Sequence, residues 1–274
     1  MLILWLGRFL ITTLLCGSIS AAANDELQIA LLDTYPWSFQ GSDGSVQGIY
    51  PEFLQQVEDN LNSNINFDRK MKLTLNIHPM ARIKHDMKAS KYADITIMSF
   101  PPGRDQLMTP LLKIYRTPFI VLSRESQPIG KIEELEGKKL AVLQGGSGCP
   151  CLGESVPVQK IFVNDHLQSL KMLEGGRVDA AAGPAIRLLG NVSKLKLEEN
   201  IASPLIYEWR DIWLWAKKSY SNADASVDEK KQHIEKFKFE FKKLIDAGGL
   251  KKYAKKYLSK EQLVYVYETN QKAE

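Results

Sequence analysis

The chain has 274 residues, of which 44% are hydrophobic and 25% charged, an ordinary globular balance with enough material for a sizeable core. Its formal net charge is +4, from 36 basic and 32 acidic residues, and no dense basic block precedes the C-terminal region. That speaks against nucleic-acid binding, and length alone allows one large domain or two small ones.

Residues 1–23 read as a secretory signal. Arg8 is their only charge, an apolar run follows over 9–15, and Ala21-Ala22-Ala23 offers a small-residue cleavage site after Ala23. The run is too short to span a bilayer, and no second apolar run is long enough to do so, so the mature chain is expected in the periplasm. Cys16 follows Leu15 where a lipoprotein signal wants a small residue. Beyond the signal only Cys149 and Cys151 remain, flanking Pro150. A strained local disulfide and two free thiols are both open. His78, His85, His166 and His233 show no spacing suited to a metal, and none is expected.

Residues 28–32 predict a short strand, which runs into the aromatic turn Asp33-Thr34-Tyr35-Pro36-Trp37. Ser42-Asp43-Gly44 predicts a hairpin turn. Pro51 suits the first position of a helix whose apolar face is Phe53, Leu54, Val57 and Leu61. A strand over 71–77, a helix over 81–90 and a strand over 93–98 follow. Strands are further expected over 119–123, 140–143, 178–182 and 211–216. Asp165 can cap a helix carrying Leu167, Leu170, Met172 and Leu173, ended by Gly175-Gly176. Two amphipathic helices close the chain, one lined by Ile234, Phe237, Phe241, Leu244 and Ile245, the other by Leu250, Tyr253, Ala254, Tyr257 and Leu258. Alternating strands and helices argue for an α/β fold with mostly parallel sheets.

Three features fall at strand ends, where open α/β sheets bind ligands. The first is Asp33 with Tyr35, Trp37 and Phe39: an aromatic wall with a counter-charge, or simply core. The second is the loop from Ser99 to Arg104, whose guanidinium is a rigid fork matched to a carboxylate. A surface arginine paired with Asp105 is the plainer alternative. The third is the turn Gly145-Gly146-Ser147-Gly148, whose amides can attract an anion, although a plain tight turn reads equally well. It lacks the Gly-Lys-Ser/Thr of a nucleotide-binding loop and the spacing of the dinucleotide fingerprint. No nucleophile elbow and no histidine–acid pair stands out, which favours binding over catalysis.

In order along the chain, these segments resemble the periplasmic solute-binding proteins of the polar-amino-acid type that serve ABC transporters. The likeness rests on Tyr35-Pro36-Trp37-Ser38-Phe39 followed by Gly44 and Gly48-Ile49-Tyr50-Pro51-Glu52. It continues through His78-Pro79-Met80-Ala81-Arg82, Ala93-Asp94 to Arg104, Ile132 to Ser147 and Gly176-Arg177-Val178-Asp179-Ala180. The resemblance implies the type II periplasmic binding protein fold: two α/β lobes, each a mostly parallel sheet flanked by helices, with ligand between them. It implies lobe one at 24–118 plus 211–274, lobe two at 119–210, and crossing strands near 117–122 and 207–214. Ligand-binding residues would be Asp33, Tyr35, Trp37, Arg82, Ser99, Arg104, Gly145, Gly146 and Ser147, with Arg104 and Ser99 holding a carboxylate.

The expected function is capture of a small carboxylate-bearing polar solute, an amino acid or related compound, for uptake through an inner-membrane ABC permease. The chain would be monomeric, need no cofactor and not be an enzyme. A periplasmic ligand sensor and a dehydratase-type enzyme on the same fold are the alternatives. One departure stands out. Pro184, preceded by Gly183, occupies the place where amino-acid binders of this type carry an ammonium-binding Asp. Either Asp33 or Glu52 takes that role, or the ligand has no α-ammonium.

Overall fold

The structure is a computed structural model, which describes residues 25–63, 70–89, 93–99, 108–145, 156–218 and 225–268. Arg104, Gly146, Ser147, Cys149, Cys151 and the signal segment therefore lie outside the described residues.

In chain order the strands are β1 (Asp25–Leu32), β2 (Phe39–Gln40), β3 (Val46–Gln47), β4 (Met71–His78), β5 (Ile95–Ser99), β6 (Met108–Ser123), β7 (Lys139–Leu143), β8 (Gln159–Val163), β9 (Ala180–Pro184), β10 (Leu205–Lys217) and β11 (Tyr267–Glu268). The helices are α1 (Ile49–Ser63), α2 (Met80–Ala89), α3 (His166–Glu174), α4 (Ala185–Leu195), α5 (Ala225–Asp246), α6 (Gly249–Ala254) and α7 (Lys260–Leu263).

The main sheet runs β4-β1-β5-β10-β6-β9-β7-β8, with β11 on β6. β1 pairs in parallel with β4 and β5, and β7 pairs in parallel with β8 and β9. The two parallel halves are joined by β6 and β10, which run antiparallel to each other and to the strands beside them. Each connector serves both halves. The early part of β10 pairs with the late part of β6, which also carries β9, while Ile212 to Ala216 of β10 pairs with β5.

Packing divides in the same way, giving two lobes. On the β1 side, Leu27, Ile29 and Leu31 meet the apolar face of α1 and the aromatic stripe Phe237 and Phe241 of α5. The Phe53 and Phe241 rings meet edge to face at 4.9 Å. On the β7 side, Leu170 and Leu173 of α3 and Leu188 and Val192 of α4 cover one face, while Leu135, Leu140 and Val142 belong to a cluster built with Val121 and Val156. Apart from Leu135 and Val156, which lie outside the strands and α-helices, these residues are apolar positions of period-2 or period-3.6 patterns, which is why the sequence folds into these layers.

Several boundaries differ from those read in the sequence. α1 begins at Ile49, two residues before Pro51, because the Ile49 and Tyr50 amides donate to the Pro36 and Trp37 carbonyls at 3.1 and 2.9 Å. Those bonds clamp the aromatic turn onto the helix start. The chain enters through Gly48, whose φ is +126° and where a Cβ would stand 2.6 Å from the Trp37 carbonyl oxygen. β6 extends from Met108, well before 119, and β10 starts at Leu205 rather than 211. β9 covers Ala180–Pro184, slightly later than 178–182. β8 is an edge strand that the sequence reading did not contain; its outer face is open, with Phe162 63% exposed. Asp165 caps α3 as expected, its side chain accepting from the Gln168 amide.

Candidate functional site

A cavity of ≈ 580 Å³ lies between the two halves, a size suited to a small solute. One wall comes from the end of β1 and the turn after it, through Leu32, Asp33, Thr34 and Tyr35, with Phe39 and Gln40 of β2 and with Pro79, Met80 and Ala81 at the start of α2. The other comes from the ends of β7 and β8 and from two helices: Leu143, Gln144, Asn164, Asp165, His166, Leu167, Asn191 and Lys194. Each wall is built around carboxyl ends of parallel strands, β1 and β4 on one side and β7 and β8 on the other, where free amides and loop side chains converge.

Of the expected site residues, Asp33 and Tyr35 line this cavity. Asp33 is exposed and has no ion pair among the described residues. Partial burial raises its carboxyl above the usual range, and the Asp165 charge across the cavity raises it further. Tyr35 is tilted against Phe39 at 5.3 Å, and the Lys194 ammonium lies 5.2 Å from its ring centre.

Trp37 departs from the expected role. It is 2% exposed and stacks between Tyr50 and Tyr115 at 4.7 and 5.2 Å, so it fills the core beneath the turn rather than lining the cavity. Arg82 also departs, for its exposed guanidinium turns along α2 to Asp86, 2.9 Å away, and the residue is not part of the cavity wall. Ser99 ends β5, half-buried opposite Ile212, outside that wall. Gly145 follows Gln144 with φ +68°, and its carbonyl accepts from the Lys84 ammonium of α2. A Cβ there would stand 3.6 Å from Ala81, so the glycine turn of one half approaches the α2 start of the other.

Glu52 is removed from the ligand candidates by its partners. The Tyr257 hydroxyl donates to it at 2.6 Å, and Lys256 pairs with its other oxygen. Burial works to raise this carboxyl, but the bonds from Lys256 and Tyr257 hold it below its ordinary value.

Sequence reasoning missed most of the second wall. His166, Asn191 and Lys194 carried no local motif, and Asp165 read only as a cap. The missing signal was β8. Once a strand ends at Val163, Asn164-Asp165-His166 becomes a strand-end loop like the others.

His166 is 3% exposed, and neither ring nitrogen has a hydrogen-bond partner among the described residues. Its ring rests on Gly183, where a Cβ would stand 2.6 Å from Cε1, so the glycine makes room for the imidazole. Burial, and secondarily the charge of Arg187, push His166 down to about 3. Arg187, in the first turn of α4, is itself buried. Burial lowers its guanidinium; the electrostatic influence of Tyr115 and Tyr50 acts the other way. Tyr50 and Tyr115 share a 3.0 Å hydroxyl contact.

A pH dependence follows. The unfolded chain protonates His166 near 6.5, whereas the folded chain does not until about 3. Stability is therefore complete above pH 6.5 and falls as pH drops below it, by about 1.4 kcal/mol per pH unit from this group. Urea unfolding at pH 7 and pH 5 should show a steeper loss in wild type than in His166→Gln. Equal losses would place a protonated or solvated imidazole at this position.

The fold also brings together Asp25, Glu229 and His233, whose ligand atoms lie within 4.8 Å of one another, a grouping that sequence spacing did not reveal. His233 Nε2 is 2.9 Å from the Asp25 carboxylate, and the trio lies at the end of β1 opposite Asp33.

No protein-family model matches the sequence, and no curated protein matches it either. Solved structures do match. A histidine-bound substrate-binding protein of an ABC uptake transporter from Streptococcus pneumoniae is 13% identical, with 89% of this chain and 95% of that chain aligned at a TM-score of 0.71. A histidine kinase sensor domain similar to periplasmic binding proteins is 14% identical, with coverages of 88% and 97% and a TM-score of 0.69. An ancestral amino-acid-binding protein, a precursor of cyclohexadienyl dehydratase, is 15% identical, with coverages of 85% and 96% and a TM-score of 0.68. The chain thus has the two-lobed type II periplasmic binding protein fold. At these identities the likeness fixes architecture, and chemistry must be argued from the cleft.

Proposed function

We propose that this chain is a periplasmic solute-binding protein. It captures a small carboxylate-bearing polar solute, an amino acid or related compound, and presents it to an inner-membrane ABC permease without altering it. The observation that carries this reading is the ≈ 580 Å³ cavity walled by both halves, with Asp33 and Tyr35 facing Asp165, His166 and Asn191. A ligand touching both walls favours their approach, and the Lys84–Gly145 contact is of the kind that closure would use. Lobe one is assigned to 24–118 plus 211–274 and lobe two to 119–210, with residues 1–23 as the cleaved signal and a monomer as the working unit. Arg104 and Ser99, with the Gly145-Gly146-Ser147 turn, are assigned to the ligand carboxylate. The histidine-bound transport protein of the same fold supports this reading. The sensor domain among the matching structures supports a second one, in which the closed form is read by a separate membrane receptor.

A thermal-shift screen against small carboxylic acids and amino acids tests the binding claim. A ligand present at 100 times its Kd should stabilise the protein by about 2.7 kcal/mol. A screen in which no carboxylate raises the melting temperature contradicts it.

A further inference from the structure

The start of β1 and one face of α5 carry a set of groups that solute capture does not use. Asp25 opens β1, and Glu229 and His233 stand one turn apart on α5. Residues four apart project from the same side of a helix. One ligand atom from each of the three, two carboxylate oxygens and an imidazole nitrogen, therefore converges to within 4.8 Å of the others.

Packing holds two of the three in place. The His233 and Asp25 side chains are 10% and 13% exposed, with Nε2 2.9 Å from Oδ2. Beside them, Ile234 and Phe237 of α5 are buried in the same cluster as Leu27 and Ile29 of β1. Glu229 is exposed, so its longer side chain has room to adjust. The cation next to it in sequence, Lys230, is turned to other partners: its ammonium is 2.9 Å from Asp94 Oδ2 and donates to the Glu26 carbonyl.

Two carboxylates and a neutral imidazole carry a charge of −2, which a divalent cation balances. Zinc bonds of about 2.0–2.2 Å to nitrogen and oxygen set the ligand atoms of a tetrahedral site about 3.3–3.6 Å apart. The His233–Asp25 pair has only to open slightly, and Glu229 to close in by at most about 1.5 Å. The imidazole donor suits a borderline metal, whereas Ca²⁺ and Mg²⁺ take oxygen. Three protein ligands leave a fourth position for water.

We propose that Asp25, Glu229 and His233 form a zinc-class divalent-cation site that fastens the start of β1 to α5. At about 3.3 Å per residue, β1 sets this site roughly 26 Å from Asp33 and the cleft. The ion therefore stabilises the β1 half and does not touch the solute, and the site stands whether or not the binding function above is correct.

The full chain, purified without a histidine tag and stripped with a chelator, should take up one Zn²⁺ per chain in a calorimetric titration. Excess Ca²⁺ or Mg²⁺ should not displace it. Glu229→Gln should weaken Zn²⁺ about tenfold or more, and because the position is exposed the variant should fold as the wild type does. His233→Gln should weaken it at least as much. Zn²⁺ should raise the melting temperature of the wild type more than that of Glu229→Gln. Co²⁺ in place of Zn²⁺ should give visible bands without the near-ultraviolet charge-transfer band that a cysteine ligand adds. Absence of Zn²⁺ binding, or equal affinity in wild type and Glu229→Gln, overturns the inference. A cysteine band in the Co²⁺ spectrum, with binding lost in Cys149→Ser, would move the ion to the thiols and overturn it as well.

Discussion

Replacing Trp37 by alanine should destabilise the protein by about 3–5 kcal/mol, measured by urea unfolding. The indole is 2% exposed and lies nearly parallel to Tyr50 on one side and Tyr115 on the other, so truncation leaves a cavity that rigid neighbours cannot fill. Those neighbours sit on α1 and on the connector β6, which ties the damage to the core of the first half. Trp37→Phe should recover much of the loss, since an aromatic stack survives. A cost below about 1 kcal/mol for Trp37→Ala would mean a solvated side chain and restore the ligand-wall role that packing denies it.

Arg104→Ala should weaken binding of the preferred carboxylate by about 2–5 kcal/mol, the cost of stripping one partner from a desolvated charge pair. Thermal stability without ligand should change little, because the role proposed for this guanidinium is to hold a ligand carboxylate and not to build the core. Lysine at 104 should recover only part of the affinity, since a point charge cannot make the two parallel bonds of a guanidinium. Unchanged affinity in Arg104→Ala would remove the anchor assigned to that loop.

The layers of the fold were legible because their patterns are long and periodic. The α1 face at Phe53, Leu54, Val57 and Leu61 and the α5 stripe at Phe237, Phe241 and Ile245 are buried as spaced. The connectors were harder. β6 begins with Met108-Thr109-Pro110 and carries Lys113, Arg116 and Pro118, so neither alternation nor propensity marks it; its place comes from pairing with β10 on one side and β9 on the other. β8 opens with Gln159-Lys160 and sits at a sheet edge, where a half-exposed strand needs few apolar residues. Losing β8 hid the second wall of the cleft. Asp33 and Tyr35 could be found because they follow a clear strand. His166 could not, because its significance lies in a contact with Gly183 and in the nearby charge of Arg187, both distant in sequence. The same contact gives Gly183 its reason, which as a bare departure from a motif it lacked.

One titration bears most directly on the cleft as a capture site. The best-stabilising carboxylate should be titrated into the purified chain by calorimetry and then recovered and identified by NMR. Saturation at one molecule per chain, with the compound returned chemically unchanged, is the expected result. Failure to saturate with any carboxylate, or recovery of a different compound, would contradict solute capture between the two halves.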